Sequence, residues 1–337
     1  MTWTIGYVGN NSRHLEGFPD QNAPDGLVGP SDNANHDRPF PDFGGSQFDM
    51  HEGVSSYNSL QTTLQKHYAD GLSFLTDYTY GHAMDDTQTP LNGGSNLYRM
   101  PLNLPMRIEY ASSDWDVRQR FNINGQYDLP FGKGRKYVNQ GGWQNQVIGG
   151  WSTDLVFTAQ TGEPTNIGPN NAGANGANTR RAILVRDPFA AGGSPDPSNP
   201  GTSCASSTRN ITHWYNPCAF ANPLPGSDIP NSQTATNPVG SPLTAPSAIL
   251  PYLGSARNQV VGPGYERINM SVFKNFTTFE SQYLQFRADA FNVFNTPAFN
   301  NPGNGINSNG GQITSTHSMG QFTPNSRFLQ LALKYYF

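Results

Sequence analysis

Apolar and polar residues alternate with a period of two along much of this chain, and helical spacing is nearly absent. Period two is the signature of strands whose two faces meet different surroundings. The clearest stretch is 118–129, where Phe121, Ile123, Tyr127 and Leu129 fall on one face and Arg118, Arg120, Asn122, Asn124, Gln126 and Asp128 on the other. One face suits lipid and the other suits water, which is what a membrane barrel wall requires. The pattern predicts about eight strands: 2–8, 54–68, 72–84, 114–129, 147–160, 265–275, 282–295 and 327–337. Most reach or exceed the ~9–11 residues that a tilted membrane-crossing strand needs.

The connections support the same reading. Ala69-Asp70-Gly71 offers a tight hairpin with a glycine available for positive φ. Long connections (9–53, 85–113, 161–264, 296–326) alternate with shorter ones (69–71, 130–146, 276–281). Bacterial barrels place long loops outside the cell and short turns on the periplasmic side. The fold class expected is therefore all-β, an antiparallel transmembrane barrel. Its place is the bacterial outer membrane, and 161–264 is its main extracellular loop. The Gly/Asn/Pro composition of that loop predicts a solvated segment.

Composition changes the picture in a few places. Charged residues are 13% and aromatics 12% of the 337 residues, which argues against disorder. The mean hydropathy of -0.58 would exclude a bundle of membrane helices, but a barrel needs apolar residues only at alternate strand positions. The net charge of -4 and the lack of a basic cluster give no nucleic-acid footprint. The densest basic run, Lys133, Arg135 and Lys136, reads as a turn near lipid headgroups.

No catalytic constellation emerges. The histidines form no HExxH or paired ligand spacing, no GxSxG elbow occurs, and Gly132-Lys133-Gly134 lacks the rest of a phosphate loop. No enzyme activity, cofactor or metal is expected. Asp85-Asp86 reads as a solvated loop start rather than a cation site. Cys204 and Cys218, the only cysteines, are expected to form a local disulfide in an oxidising compartment, with two free thiols as the alternative.

Tyr78, Tyr80, Trp115, Trp143, Trp151, Tyr335 and Tyr336 are candidates for interfacial girdles, though some of them have the option of packing inside. Trp214, Tyr215 and Phe220, beside Cys218, are either weak ligand contacts or the apolar core of the longest loop. Lumen-facing candidates are Arg118, Arg120, Asp154, Arg287 and Asp289. The last strand alternates through Leu331, Leu333 and Tyr335 to Phe337, an ending suited to strand addition by the barrel-assembly machinery.

Five phrases carry a family resemblance, in order along the chain: YVGNNSRHL (7–15), YNSLQTTLQKHYADGLSFLTDYTYGHAMDD (57–86), DVRQRFNINGQYDLPFGKGRKY (116–137), QFRADAFNVFNTPAFNNP (285–302) and the terminal LQLALKYYF. Together they resemble the C-terminal barrel portion of TonB-dependent outer-membrane receptors, the large type with a carboxypeptidase-regulatory-like N-terminal domain. The resemblance implies a 22-stranded barrel of which these strands are part of the wall. It also implies energy-coupled uptake of an extracellular ligand, with the TonB complex engaged through a plug. No signal peptide, TonB-contacting segment or plug is recognisable in this sequence, so the expectation is a receptor fragment or a misplaced start. Two rivals stand beside it: a self-contained eight-stranded barrel with an adhesin or structural role, and a secreted carbohydrate-binding β-sandwich.

Overall fold

The structure is a computed structural model. It describes residues 1–17, 21–22, 27, 38–46, 50–86, 106–139, 141–170, 180–228, 246–278, 282–307, 309–317 and 325–337. Segments 171–179 and 229–245 of the expected long loop thus lie outside the described residues.

Eight long strands form one antiparallel meander: β1 (Thr2–Gly17), β2 (Met50–Ala69), β3 (Leu72–Asp85), β4 (Gln119–Asp128), β5 (Trp151–Gln160), β6 (Tyr265–Thr277), β7 (Tyr283–Phe291) and β8 (Phe328–Tyr336). Each pairs with its neighbour in sequence. The sheet is open, with β1 and β8 at its edges. A two-residue strand, Ala111–Ser112, adds to the end of β3. Among the described residues no helix is long and apolar enough to cross a membrane.

All eight predicted strands are present, with shifted ends. β1 runs nine residues further, to Gly17, because it pairs along its length with the longer β2. β5 begins at Trp151 rather than 147, because Trp143–Ile148 forms a short helix, α1. β7 stops at Phe291, where Asn292 turns to a φ of 49°. The β2–β3 turn has Asp70 at φ 55° and Gly71 at φ 77°. Two consecutive positive φ values match the right-handed twist of the flanking strands. A side chain at Gly71 would also press on Asp128 Cβ at 3.3 Å.

Register turns the alternation of single strands into two continuous faces. Leu64 pairs with Thr76, then Ile123, Phe157 and Ile268 on successive strands. A lower row runs Leu72, Tyr127, Thr153, Val272, Ala288 and Leu331. The opposite face carries the row Ser73, Gln126, Asp154, Ser271, Asp289 and Gln330. A one-residue slip anywhere would mix the two faces. The apolar face is open: Trp3 is 68% exposed, Leu331 72% and Phe337 97%. Such a surface is an aggregation hazard in water and the correct surface in lipid.

Candidate functional site

The polar face holds a charged network at its centre. Arg287 of β7 reaches Asp154 of β5 (Nη1–Oδ2 3.1 Å) and Asp289 two residues along its own strand (Nε–Oδ1 2.7 Å). It also donates to Ser271 Oγ at 2.9 Å, and Ser271 donates to Asp289. The guanidinium lies 5.4 Å from the Phe273 ring centre. Register places Asp154, Ser271 and Asp289 side by side, and Arg287 spans them. A recess of about 700 Å³ lies on this face, lined by Gln126, Asp154, Asn269, Ser271, Arg287 and Asp289 among others. Three of the five lumen-facing candidates thus meet in one network.

Arg120 is on the same face, in register with Thr79 and Gln160, and exposed. Arg118 precedes β4, where its carbonyl accepts from the amide of Gly81 at 2.9 Å. Its side chain is tied at the rim to Asp116 (2.7 Å) and to His82 (3.2 Å), apart from the Arg287 network.

The girdle candidates divide similarly. Tyr78 and Tyr80 lie toward the long-loop end of the apolar face, and Trp151 and Tyr335 toward the short-turn end. Tyr336 falls on the polar face instead, stacked on Tyr283 at 4.5 Å.

The described part of 161–264 is packed rather than simply solvated. Ile167, Ala182, Tyr215, Ala219, Phe220, Val260 and Ile306 form its core. Ile306 belongs to the connection after β7, so the two long connections share one interior. Tyr215 and Phe220 are fully buried and meet edge to face at 5.6 Å. The Tyr215 hydroxyl donates to the carbonyls of Gly303 (2.8 Å) and Gly305 (2.6 Å). Burial pushes that phenol well above its usual pKa.

Cys204 and Cys218 are joined as a disulfide with a Cα–Cα distance of 5.2 Å. Asn216 between them accepts from the amides of Ala205 and Cys218 and donates to the carbonyls of Ala190 and Gly192. The bridge closes a 14-residue separation, a loop whose closure entropy corresponds to about 3 kcal/mol. Replacing both cysteines by serine is expected to cost this unit that amount while the wall strands keep their protection. Amide exchange of the two regions, measured separately, checks it.

Charged pins fix this unit to the rim. Arg181 makes a two-pronged pair with Glu109 (both N–O distances 2.9 Å). The fully buried Arg257 side chain binds Asp85 at 2.8 Å, with Asp114 at 3.6 Å. Asp86 is 2% exposed and accepts the Val54 amide at 2.8 Å. Asp85 and Asp86 are therefore rim structure, not a solvated loop start; sequence gave no sign of their partners, which lie 172 and 32 residues away.

Burial, followed by the neighbouring Asp85 charge, outweighs the amide bonds and raises the Asp86 pKa. A carboxyl raised in the fold favours folding most below its unfolded pKa and loses that benefit as pH rises through the folded value. Asp86→Asn keeps the acceptor without the charge. It is expected to stabilise the rim at neutral pH and to bring no gain in acid, below the ordinary carboxylate range. Equal effects at both pH values, read by urea titration, would refute the assignment.

Trp214 differs from its neighbours. It packs on the edge of the core, and its indole N–H donates to Val261 O at 2.8 Å. It also lines a recess of about 530 Å³ with Tyr78, Phe121, Tyr265, Phe299 and the polar Gln119, Gln160 and Glu266. Of the three loop aromatics, it alone combines partial exposure with a recess.

Residues 1–330 match the family model described as an outer membrane beta barrel domain. The chain belongs to this outer-membrane β-barrel family. Its place is accordingly the bacterial outer membrane, and the apolar face of the wall is the lipid-facing one. No curated protein matches the chain.

Proposed function

We propose that this chain forms wall and extracellular surface of a TonB-dependent receptor, a non-enzymatic barrel for energy-coupled uptake of a ligand across the outer membrane. The observation that carries the reading is the polar face, on which Arg287, Asp154, Ser271 and Asp289 form one connected network facing a recess. Ionic groups locked across these strands suit a wall whose inner face meets water or a polar partner. They give a plug a polar surface on which to seat and slide, since hydrogen-bonded contacts exchange with water more readily than apolar ones. The packed unit built from 161–264 and the β7–β8 connection offers the ligand-facing surface.

Uptake tests this reading. Cells carrying the gene are given labelled ferric siderophore, oligosaccharide and peptide in turn. Accumulation abolished both by a protonophore and by removal of residues 161–264 supports it. Accumulation indifferent to the protonophore identifies a passive barrel, and adhesion without accumulation identifies an adhesin.

In the same reading the barrel-assembly machinery engages β8 along its free edge. Deleting Phe337, which is 97% exposed at the end of the apolar row, is expected to reduce membrane insertion severalfold. Heat-modifiable gel migration of membrane fractions measures this, and unchanged insertion removes the role.

A further inference from the structure

The connection between β4 and β5 contains Lys133, Arg135 and Lys136 and no acidic residue between 130 and 150. It leaves the sheet at the same end as the Asp70-Gly71 turn, the short-turn side of the membrane. The helix within it, α1, lies against the lipid-facing side of the wall. Lys274 of β6 alternates with Val272 and Phe276, yet is only 4% exposed, because its ammonium is covered by the α1 carbonyls of Asn145 (3.4 Å) and Gln146. The Trp151 indole donates to the α1 carbonyl of Val147 at 2.8 Å.

Having covered that cation, α1 turns its own apolar residues outward. Trp143 is 73% exposed and Val147, one turn on, 60%. They share one side of the helix. Phe131 and Tyr137, ring centres 5.7 Å apart, are also exposed in the same connection. Arg135 is engaged by Asp128 at 3.0 Å. Lys133 and Lys136 are exposed, and the Lys136 ammonium stands 5.3 Å over the Tyr137 ring.

An exposed tryptophan on a short helix held against a lipid-facing wall by Lys274 and Trp151 fits the headgroup boundary, where amphipathic rings settle. Lysines beside it match the phosphates of anionic lipid. We propose that the β4–β5 connection is a lipid anchor. Trp143 and Val147 enter the leaflet on the short-turn side, and Lys133 and Lys136 bind the phosphates of anionic phospholipid there. The proposal rests on the chain's place in the outer membrane and not on uptake; transport is unaffected if it fails.

The test uses the full chain reconstituted in phosphatidylcholine vesicles with and without phosphatidylglycerol. The fluorescence difference between the native chain and Trp143→Phe isolates Trp143. Acyl-brominated phosphatidylcholine is expected to quench that signal and aqueous acrylamide to leave it. The preference of the chain for spin-labelled phosphatidylglycerol over phosphatidylcholine is expected to fall roughly fivefold per lysine removed in Lys133→Gln/Lys136→Gln. Trp143 quenched by acrylamide and not by the brominated lipid overturns the anchor, and so does an unchanged lipid preference in the double variant. An aqueous Trp143 would mark the face as open to a periplasmic protein instead. If the lysine variant does not insert, the depth of Trp143 in the otherwise native chain decides alone.

Discussion

Replacing Arg181 by methionine is expected to cost the packed unit of the two long connections about 3–5 kcal/mol, the effect of leaving one buried charge without its partner. Arg181 and Glu109 are 5% and 1% exposed at their side chains. Their paired bonds satisfy both ends of a charge that neither could carry alone inside the rim. Loss of the guanidinium strands the Glu109 carboxylate in a site that excludes water. The unit should open locally rather than the wall unfold, because β3 to β6 are held by ladders that do not involve Arg181.

Amide exchange reads this directly. Ala182 donates to Ile167 O and Val185 to Ala219 O, and both amides should lose protection. The double variant Glu109→Gln/Arg181→Met removes both charges together and should cost clearly less than the sum of the two single changes, since no unpaired ion is left behind. Strict additivity would mean that the pair does not act as a pair. Unchanged exchange in Arg181→Met would mean that the unit is held mainly by its apolar core and the disulfide.

The wall was legible in the sequence and the cap was not, for one physical reason. A membrane strand writes its surroundings into every second residue, so Phe157 beside Thr158, or Phe286 beside Arg287, shows the face before any partner is known. Alternation says least at strand ends: of the girdle candidates, some of which had the option of packing inside, Tyr336 falls on the polar face, across the pleat from Tyr335. The cap carries no period. Its interior is assembled from residues as far apart as Ile167 and Ile306, and its pins join Glu109 to Arg181 across 72 residues. A segment rich in Gly, Asn and Pro reads as solvated because its few core residues are diluted among turns. The cysteines and the aromatics near them were the one local sign of an interior. Helix α1 was hidden for a related reason: six residues are too few for a helical period to show.

Membrane orientation of the wall makes the second large prediction. Phe157→Arg is expected to destabilise the inserted chain by roughly 3–5 kcal/mol, combining the cost of an arginine in the lipid-facing band with the loss of an aromatic contact. Phe157 sits in the middle of β5, in the row that runs from Leu64 through Ile123 to Ile268, and meets the Phe121 ring edge to face at 5.9 Å. The adjacent residue supplies the control. Val156 points to the other face, where it pairs with Asn124 and Asn269 and is 40% exposed. An arginine there can extend into water beside amides, so Val156→Arg is expected to change stability by no more than about 0.5 kcal/mol. Urea titrations of both variants in phospholipid vesicles give the comparison. A large penalty at 157 with near-neutrality at 156 is what a register-locked wall between lipid and water demands. Similar penalties at the two sites would mean that both faces are buried in protein, and the pattern reversed would mean that the wall is inside out. The contrast depends on one step of the pleat, so no change in overall charge, expression or loop folding can imitate it.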